Sequence, residues 1–327
     1  MIQRFQDETK EQSLERILTD LTKEGGCGFK EVTYIKDHPN HRTFNVNRAL
    51  DEEALISFIC NSQPKAYTSI SLRGGDSANE RIIEGFNQQV KVRGLISVLK
   101  NGFEVLGTKL RPMYFKPEDE TDVESMRNYE QNLFFCARQF HYSRDAKGKS
   151  IDIVLLINGI PLVAIELKNN FSGQDTGDAK EQFCRDRDQS ELFFKLNQRC
   201  LVMFAVDNYT VEMTTKLDGM NTVFIPFNQG SNGPGRSGRA GNPVPDNDVP
   251  THYMFDDILT KDSLQRIIGD FLVYDDDDQK PRVLFPRYHQ LDCVQSLVRR
   301  TAEEGPGHNY LIQHSAGSGK SNTIAWL

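Results

Sequence analysis

The sequence predicts an α/β fold with a mixed central sheet flanked by helices, followed by the start of a second α/β domain. Helical apolar periodicity and strand-like apolar runs alternate along the first part of the chain, which is the pattern of a sheet covered by helices. Residues 309–327 instead read as a strand, a glycine-rich loop and the start of a helix. At 327 residues the chain exceeds one domain of about 150 residues, so two are expected.

The elements follow in chain order. Apolar residues at helical spacing over 14–21 predict an amphipathic helix that the glycines at 25–28 stop. Helices are expected next at 51–60 and 79–100, and from about residue 102 the chain is rich in β-branched and aromatic residues. The predicted strands lie at 103–115, 132–142, 151–157, 161–168 and 199–206, with a helix at 178–197 before the last of them.

The second half contains a long loop and an acidic break. Residues 228–250 are rich in Gly, Ser, Pro and Asn, and a predicted helix at 256–274 follows them. An acidic stretch begins at residue 275. The sequence therefore predicts one domain over 1–274 and the beginning of another over 275–327.

Composition excludes some classes of protein. The charged N-terminus is unlike a signal peptide, and the chain has no apolar run of the roughly 18–20 residues that a membrane span needs. We therefore expect a soluble cytoplasmic protein without a membrane partner. The six cysteines form no CxxC pair, which argues against a zinc site and a disulfide framework. The net charge of −7 does not exclude nucleic acid, since binding needs only a local positive face.

Three polar residues interrupt an otherwise apolar hairpin. Asp152 begins the first strand, Glu166 and Lys168 end the second, and Asn158-Gly159 marks the turn between them. Glu166 and Lys168 share one face of their strand because they are two residues apart. The start of one strand meets the end of its partner, so we expect all three side chains to converge.

This grouping suits hydrolysis of a phosphodiester. Asp152, Glu166 and the backbone carbonyl of Leu167 are oxygen ligands for Mg²⁺, which polarises the phosphate and lowers the pKa of a bound water. The Lys168 ammonium can orient the attacking water and stabilise developing negative charge. The alternative is an exposed Glu–Lys ion pair, worth about 0–1 kcal/mol. The apolar strands around the three residues favour the nuclease interpretation.

The function constrains the register of this hairpin. A regular two-residue turn pairs Ile157 with Ile160 and would set Asp152 opposite Ile165, with Glu166 on the other face of the sheet. A metal site requires Asp152 opposite Glu166. We therefore predict that one extra residue is absorbed near the turn or within a strand, and Pro161, which lacks an N–H, makes an irregularity there plausible.

Asp152…Glu166-Leu167-Lys168 resembles the PD-(D/E)xK nuclease core, with Ile151 in place of the proline. INGIPLVAIELKN is similar to the restriction (R) subunit of type I restriction–modification enzymes. The resemblance implies a PD-(D/E)xK fold, Mg²⁺-dependent cleavage of double-stranded DNA, ATP-driven translocation by the full-length subunit, and methyltransferase and specificity subunits as partners.

Further site residues come from the same resemblance. It implies that Gln182, on the helix after the Glu-x-Lys strand, positions DNA or the catalytic groups, although Asp186 stands where the family has a tyrosine. Some such nucleases add an acid from the first helix, and Glu11 and Glu15 are the candidates. The loop over 228–250 is either a mobile connector or a basic loop whose Arg236 and Arg239 contact DNA phosphates.

The end of the chain resembles motif I of superfamily 2 helicases and translocases. Gly317-Ser318-Gly319-Lys320-Ser321 matches the second half of a P-loop, although His314 replaces its first glycine. Backbone N–H groups would surround the β-phosphate of ATP, Lys320 would reach the β- and γ-phosphates and Ser321 would bind Mg²⁺. Arg287 and Gln290 resemble the adenine-reading Q motif.

The resemblance implies a RecA-like motor whose beginning lies at 275–327 and which is truncated after its P-loop. We therefore expect a fragment of the subunit that does not itself hydrolyse ATP or translocate. Two alternatives remain open: a repair nuclease–helicase that works without modification partners, and a DNA-binding scaffold whose nuclease site is inert.

Overall fold

The computed structural model describes residues 18–19, 28–35, 38, 41–143, 149–246, 248–277 and 279–327. Of the helix predicted over 14–21, only Leu18 and Thr19 are described, and both are helical. Glu11 and Glu15, the candidate extra acids, lie outside the described residues. Their role stays a prediction.

The stretch from Glu52 to Asn101 is helical, as the patterns at 51–60 and 79–100 predict. Asp51 begins the first helix, because its side chain accepts a hydrogen bond from the backbone N–H of Ala54 at 2.9 Å. Gly94, with φ 78°, divides the second pattern into two helices. One helix was not predicted, because Ile70 is its single fully buried side chain. The four helices are α1 (Glu52–Ser62), α2 (Pro64–Gly74), α3 (Ala78–Arg93) and α4 (Leu95–Asn101).

The described residues form a seven-stranded mixed sheet, which confirms the predicted sheet type. Its spatial order is β1-β4-β5-β6-β7-β8-β9. β1 pairs with β4 and β6 with β7 in parallel, and the other neighbours are antiparallel. Two short hairpins, β2–β3 and β10–β11, stand apart. The strands are β1 (Lys30–Val32), β2 (Phe103–Val105), β3 (Thr108–Leu110), β4 (Phe134–Phe140), β5 (Ile151–Ile157), β6 (Ile160–Leu167), β7 (Val202–Val206), β8 (Val211–Thr214), β9 (Ile225–Pro226), β10 (Val273–Asp275) and β11 (Arg282–Leu284).

Both faces of the sheet are covered by apolar side chains. On β5, Ile153 and Leu155 pack into one buried cluster, whereas Val154 and Leu156 pack into another. Successive side chains of a strand point to opposite faces, so the two clusters lie on the two sides of the sheet. Burial on both faces explains why β5 and β6 are nearly continuous apolar runs.

The crossover between the parallel strands β6 and β7 carries a helix that is shorter than predicted. The remaining helices are α5 (Val123–Glu130), α6 (Thr176–Asp186), α7 (Lys261–Arg266), α8 (Tyr288–Glu304) and α9 (Lys320–Trp326). The sequence predicted a helix over 178–197, but α6 ends at Asp186 because Arg187 has an extended backbone, with φ −104° and ψ 115°. The Arg187 side chain then turns into the protein interior.

The C-terminal part packs onto the same core as the sheet. Phe285, Tyr288 and Leu291 belong to the buried cluster that also contains Phe204 of β7. The helix predicted over 256–274 consists of α7 between two π-helical turns, Met254–Ile258 and Ile267–Phe271. The boundary between domains 1–274 and 275–327 stays a prediction. None of the helices formed by the described residues is long and apolar enough to cross a membrane.

Candidate active site

The β5–β6 hairpin turns tightly at Asn158-Gly159. Asn158 has φ 51° and Gly159 has φ 81°, the left-handed conformations of a two-residue hairpin turn. Gly159 is required there, since a Cβ atom would lie 2.2 Å from the backbone oxygen of Asp51. The Asn158 side chain is fully buried and accepts a hydrogen bond from the N–H of Leu133 at 2.7 Å. This end of the hairpin is fixed by packing and hydrogen bonds.

The register shifts by one residue beyond the turn, as predicted. Leu156 pairs with Pro161, but Leu155 pairs with Val163, so Leu162 is the extra residue of a bulge in β6. Ile153 then stands opposite Ile165. The two-residue turn itself is retained, and the bulge lies within the second strand beside the proline.

The bulge gives the register in which Asp152 and Glu166 are the next residues after the pair Ile153 and Ile165, and therefore share a face of the sheet. Asp152 Oδ2 accepts a hydrogen bond from the backbone N–H of Leu167 at 2.7 Å. Its Oδ1 accepts one from Gln139 Nε2 at 3.3 Å. The carboxylate of Asp152 is therefore held directly beside the end of β6.

Glu166 is a fully buried carboxylate with one open oxygen. Its side chain is 0% exposed, so it does not form the exposed Glu–Lys ion pair that the sequence left open as an alternative. Oε1 is paired with Arg187, whereas Oε2 is buried and has no hydrogen-bond partner. Burial and then the charge of Asp152 raise the pKa of Glu166 to about 8, although Arg187 and Lys168 act in the opposite direction.

The side chains of Lys168 and Gln182 contact each other directly. Lys168 Nζ donates a hydrogen bond to Gln182 Oε1 at 2.7 Å. Gln182 lies on α6, which begins with a capping box in which Asp175 and Asp178 exchange hydrogen bonds. α6 packs on the sheet through Phe183, whose cluster contains the residues of β5 on the face of Asp152. The helix thus brings Gln182 to the lysine, so the structure places all four predicted side chains in one region.

Two residues of this region were missed from the sequence. Arg187 contacts Glu166, and Gln139 contacts Asp152. Gln139 has φ 46° near the end of β4, an uncommon conformation for a residue other than glycine. Neither residue stands at a sequence spacing that predicts a contact with the two acids, because only the folded chain brings them together.

The donor set fits a divalent cation. Within the described residues no three His, Cys, Asp or Glu side chains gather as metal ligands. Two carboxylates and the carbonyl of Leu167 are hard oxygen donors of the kind Mg²⁺ accepts, with water completing its shell. The unpartnered Oε2 of Glu166, buried beside a second acid, is the observation that fits such an ion.

The glycine-rich segment near the end of the chain forms a loop that opens onto α9, as predicted. Gly317 and Gly319 have φ 73° and 84°. Lys320 Nζ donates to the backbone oxygens of His314 and Ser315 at 3.3 and 3.0 Å. Ser318 is buried and its Oγ has no hydrogen-bond partner. Lys320 and Ser321 begin α9 as exposed residues.

The strand predicted at the start of the 309–327 stretch, before this loop, is not formed. A strand needs a neighbouring strand to accept and donate its backbone hydrogen bonds, and none of the described strands lies beside these residues. Leu311 is accordingly 93% exposed. The prediction was wrong for the conformation of this segment.

Gln290 contacts the loop itself. Its Nε2 donates to the backbone oxygen of Gly319 at 2.9 Å, and its Oε1 accepts from the N–H of Arg287 at 2.9 Å. A cavity of about 560 Å³ lies between the β8–β9 edge of the sheet and this loop, lined by both residues and by Gly317–Gly319. The predicted nucleotide-binding residues therefore border one cavity, apart from Lys320 and Ser321.

The loop over 228–250 has no helix or strand among its described residues, as predicted. Its base is fixed, because Asn242 Nδ2 donates to the backbone oxygen of Tyr209 at 2.9 Å. Arg236 and Arg239 lie on its exposed part. The loop is thus an irregular segment with an anchored base and exposed arginines.

A family model described as the type I restriction enzyme R protein N terminus matches residues 50–222, which is more than half of the chain. The chain belongs to this family. The matched region contains Asp152, Glu166, Lys168 and Gln182, whereas Gly317–Ser321 lie outside it. The expected relationship to R subunits is confirmed.

Curated relatives carry matching names. The chain is 26% identical over 221 residues to the SsaAORF53P type I restriction enzyme endonuclease subunit of Staphylococcus saprophyticus, covering 64% of this chain and 21% of the relative. A protein of Methanocaldococcus jannaschii, named as the MjaIXP type I restriction enzyme endonuclease subunit, is 22% identical over 322 residues, covering 91% of this chain and 29% of the relative. The matches thus span less than a third of these relatives' lengths.

Proposed function

We propose that this chain carries the nuclease site of a type I restriction subunit and cleaves double-stranded DNA with Mg²⁺. The supporting observation is Glu166, whose Oε2 is buried without a partner beside Asp152. A buried carboxylate oxygen without a hydrogen-bond partner is costly, and a divalent cation shared with Asp152 would remove that cost. Family membership supports the same assignment.

Each residue of the site has a role in this proposal. Asp152, Glu166 and the carbonyl of Leu167 would hold the ion, which would supply polarisation of the phosphate and a lowered pKa of bound water. Lys168, fixed by Gln182 Oε1, orients the attacking water and stabilises the negative charge that develops on the phosphate. Gln182 acts through the lysine in this arrangement. The fold brings these groups together without a further domain.

We also propose that residues 275–327 begin a RecA-like motor of superfamily 2 that binds ATP and drives translocation in the full-length subunit. The glycine-rich loop and the cavity bordered by Gln290 support a nucleotide site. The Lys320 ammonium now bonded to loop carbonyls would move to the β- and γ-phosphates. Methyltransferase and specificity subunits would supply target recognition, and Arg236 and Arg239 would contact DNA phosphates.

The decisive experiment measures plasmid cleavage by the restriction complex assembled around this subunit, with ATP and with Mg²⁺ or EDTA. We expect Mg²⁺-dependent cleavage that Asp152→Ala and Glu166→Gln abolish. Glu181→Gln, a half-exposed acid on α6 that pairs with Arg185, is the matched control and should cleave normally. Full activity of Asp152→Ala contradicts the proposal.

Two outcomes would identify the alternatives. Cleavage that needs neither methyltransferase nor specificity subunit would point to a repair nuclease–helicase. DNA binding without cleavage, unchanged by Asp152→Ala, would point to a scaffold with an inert site.

A further inference from the structure

Arg187 is the cation that contacts the buried Glu166 carboxylate. Its side chain is 1% exposed and that of Glu166 is 0% exposed. Arg187 Nε lies 3.1 Å from Glu166 Oε1, and Nη2 lies 2.5 Å from the same oxygen. Both donors thus engage Oε1, which leaves Oε2 as the open oxygen.

The same guanidinium joins three elements around the site. Arg187 follows the last residue of α6, the helix that carries Gln182. Its Nη2 also donates to the backbone oxygen of Ser150 at 2.5 Å, just before the strand that carries Asp152. The guanidinium carbon Cζ of Arg187 lies 5.5 Å from the centre of the Tyr142 ring. Movement of Arg187 would therefore disturb the carboxylate and the start of β5 together.

Stability alone does not account for this placement. Replacement of a buried ion pair by apolar side chains of similar volume is often neutral or stabilising. An arginine at this point instead has a specific geometric effect, because two of its donors converge on Oε1 and anchor that oxygen on one side of the carboxylate. Oε1 of Glu166 is bound by the arginine, and Oε2 has no hydrogen-bond partner and can bind a cation.

We propose that Arg187 is a positioning residue of the nuclease site: it holds Glu166 by Oε1 and thereby presents Oε2 to the divalent cation. This inference rests on the proposed nuclease function, which assigns Glu166 as a metal ligand. Loss of the arginine would let the carboxylate rotate and would leave a buried acid without its counter-ion. Metal affinity should fall even where the fold is intact.

The test measures binding of Mn²⁺ to the 327-residue chain by calorimetry, with circular dichroism and thermal unfolding as controls for the fold. Arg187→Met should weaken Mn²⁺ binding between roughly tenfold and a hundredfold, the usual effect of removing a partner of a metal ligand. Arg187→Lys keeps the charge but offers one compact donor group, so its affinity should lie between those of Arg187→Met and the wild type.

Arg185→Met is the matched control. Arg185 lies on α6, its side chain is 64% exposed and it pairs with Glu181. This variant should bind Mn²⁺ like the wild type. A structural role for Arg187 would lower the unfolding temperature and leave Mn²⁺ affinity unchanged in the folded variants.

The possible failures are distinguishable. If the wild type binds Mn²⁺ and folded Arg187→Met binds it equally well, the positioning role is wrong and the nuclease proposal stands. If Arg187→Met does not fold, Arg187→Lys decides: wild-type affinity overturns the inference and weakened affinity supports it. If the wild type binds no Mn²⁺, both proposals fail together.

Discussion

A divalent cation should leave the site at a pH well above that at which an exposed carboxylate titrates. Burial and the charge of Asp152 raise the pKa of Glu166 to about 8 in the metal-free protein. In the proposed site the metal would bind the ionised carboxylate, so protons would compete with it at every pH below that value. Acidification through the neutral range is therefore the perturbation, and no mutation is needed.

The magnitude follows from the pKa. At about pH 7 the protonated form of Glu166 exceeds the ionised form roughly tenfold, so the apparent metal affinity is about tenfold below its plateau. Each further pH unit lowers it about tenfold more, or about 1.4 kcal/mol. Above about pH 8 to 9 Glu166 is ionised, so its titration should no longer change the metal affinity.

The stability of the metal-free chain should change in the opposite sense. The folded-state pKa of Glu166 lies above that of an exposed glutamic acid, so the protonated form is favoured by folding. This contribution is complete below the unfolded-state pKa and is lost as the pH rises through about 8. The increase in unfolding temperature on adding metal should accordingly be largest at high pH.

Calorimetric titration of the 327-residue chain with Mn²⁺ at about pH 6, 7 and 8, in two buffers with different ionisation enthalpies, measures affinity and proton release together. We expect close to one proton released per ion at the lowest pH. Glu166→Gln is the control, since it removes the titrating group and should bind weakly with little pH dependence. Equal affinity from about pH 6 to 8 would refute the reasoning.

Three further predictions concern other residues. Asn158→Ala should lower the free energy of unfolding by about 2–4 kcal/mol, because three side-chain hydrogen bonds are lost at about 1 kcal/mol each. Unfolding by denaturant measures this, and a change below about 0.5 kcal/mol would contradict the prediction. Gln182→Ala should slow plasmid cleavage and leave Mn²⁺ affinity unchanged, because it releases Lys168 and no metal ligand; weakened Mn²⁺ binding contradicts it. Arg236→Ala with Arg239→Ala should weaken DNA binding and reduce its salt dependence by about two phosphate contacts, whereas an unchanged salt slope contradicts a DNA-binding loop.

The sequence predicts the hairpin site well because the information is local. A strand alternates faces every residue, so the positions of Asp152, Glu166 and Lys168 within apolar runs decide which side chains can meet. Gln182 was placed only through resemblance to a family, and the structure shows why that placement fits: α6 packs on the same face and its amide reaches the lysine.

The partners of the two carboxylates could not be predicted. Arg187 lies in a stretch of alternating acidic and basic residues, and its neighbour Arg185 is exposed. The sequence offers no difference in charge between the buried Arg187 and the exposed Arg185. Only the fold, which brings Arg187 against Glu166, distinguishes the two arginines. Gln139 could not be predicted either, since its contact with Asp152 involves a residue with a left-handed backbone near the end of a strand.

The bulge at Leu162 connects the turn to the chemistry. Leu162 and Val163 are consecutive, yet both pack into the same buried cluster, whereas consecutive residues of a regular strand face opposite sides. The turn at Asn158-Gly159 requires one register, because Asn158 is fixed by hydrogen bonds to neighbouring loops. The proposed metal site requires the other register, since a shift of one residue would move Glu166 to the face opposite Asp152. A regular hairpin satisfies either requirement alone, and one extra residue between the two ends is the smallest change that satisfies both. The bulge is therefore consistent with the proposed function as well as with Pro161, which lacks the N–H of a regular ladder.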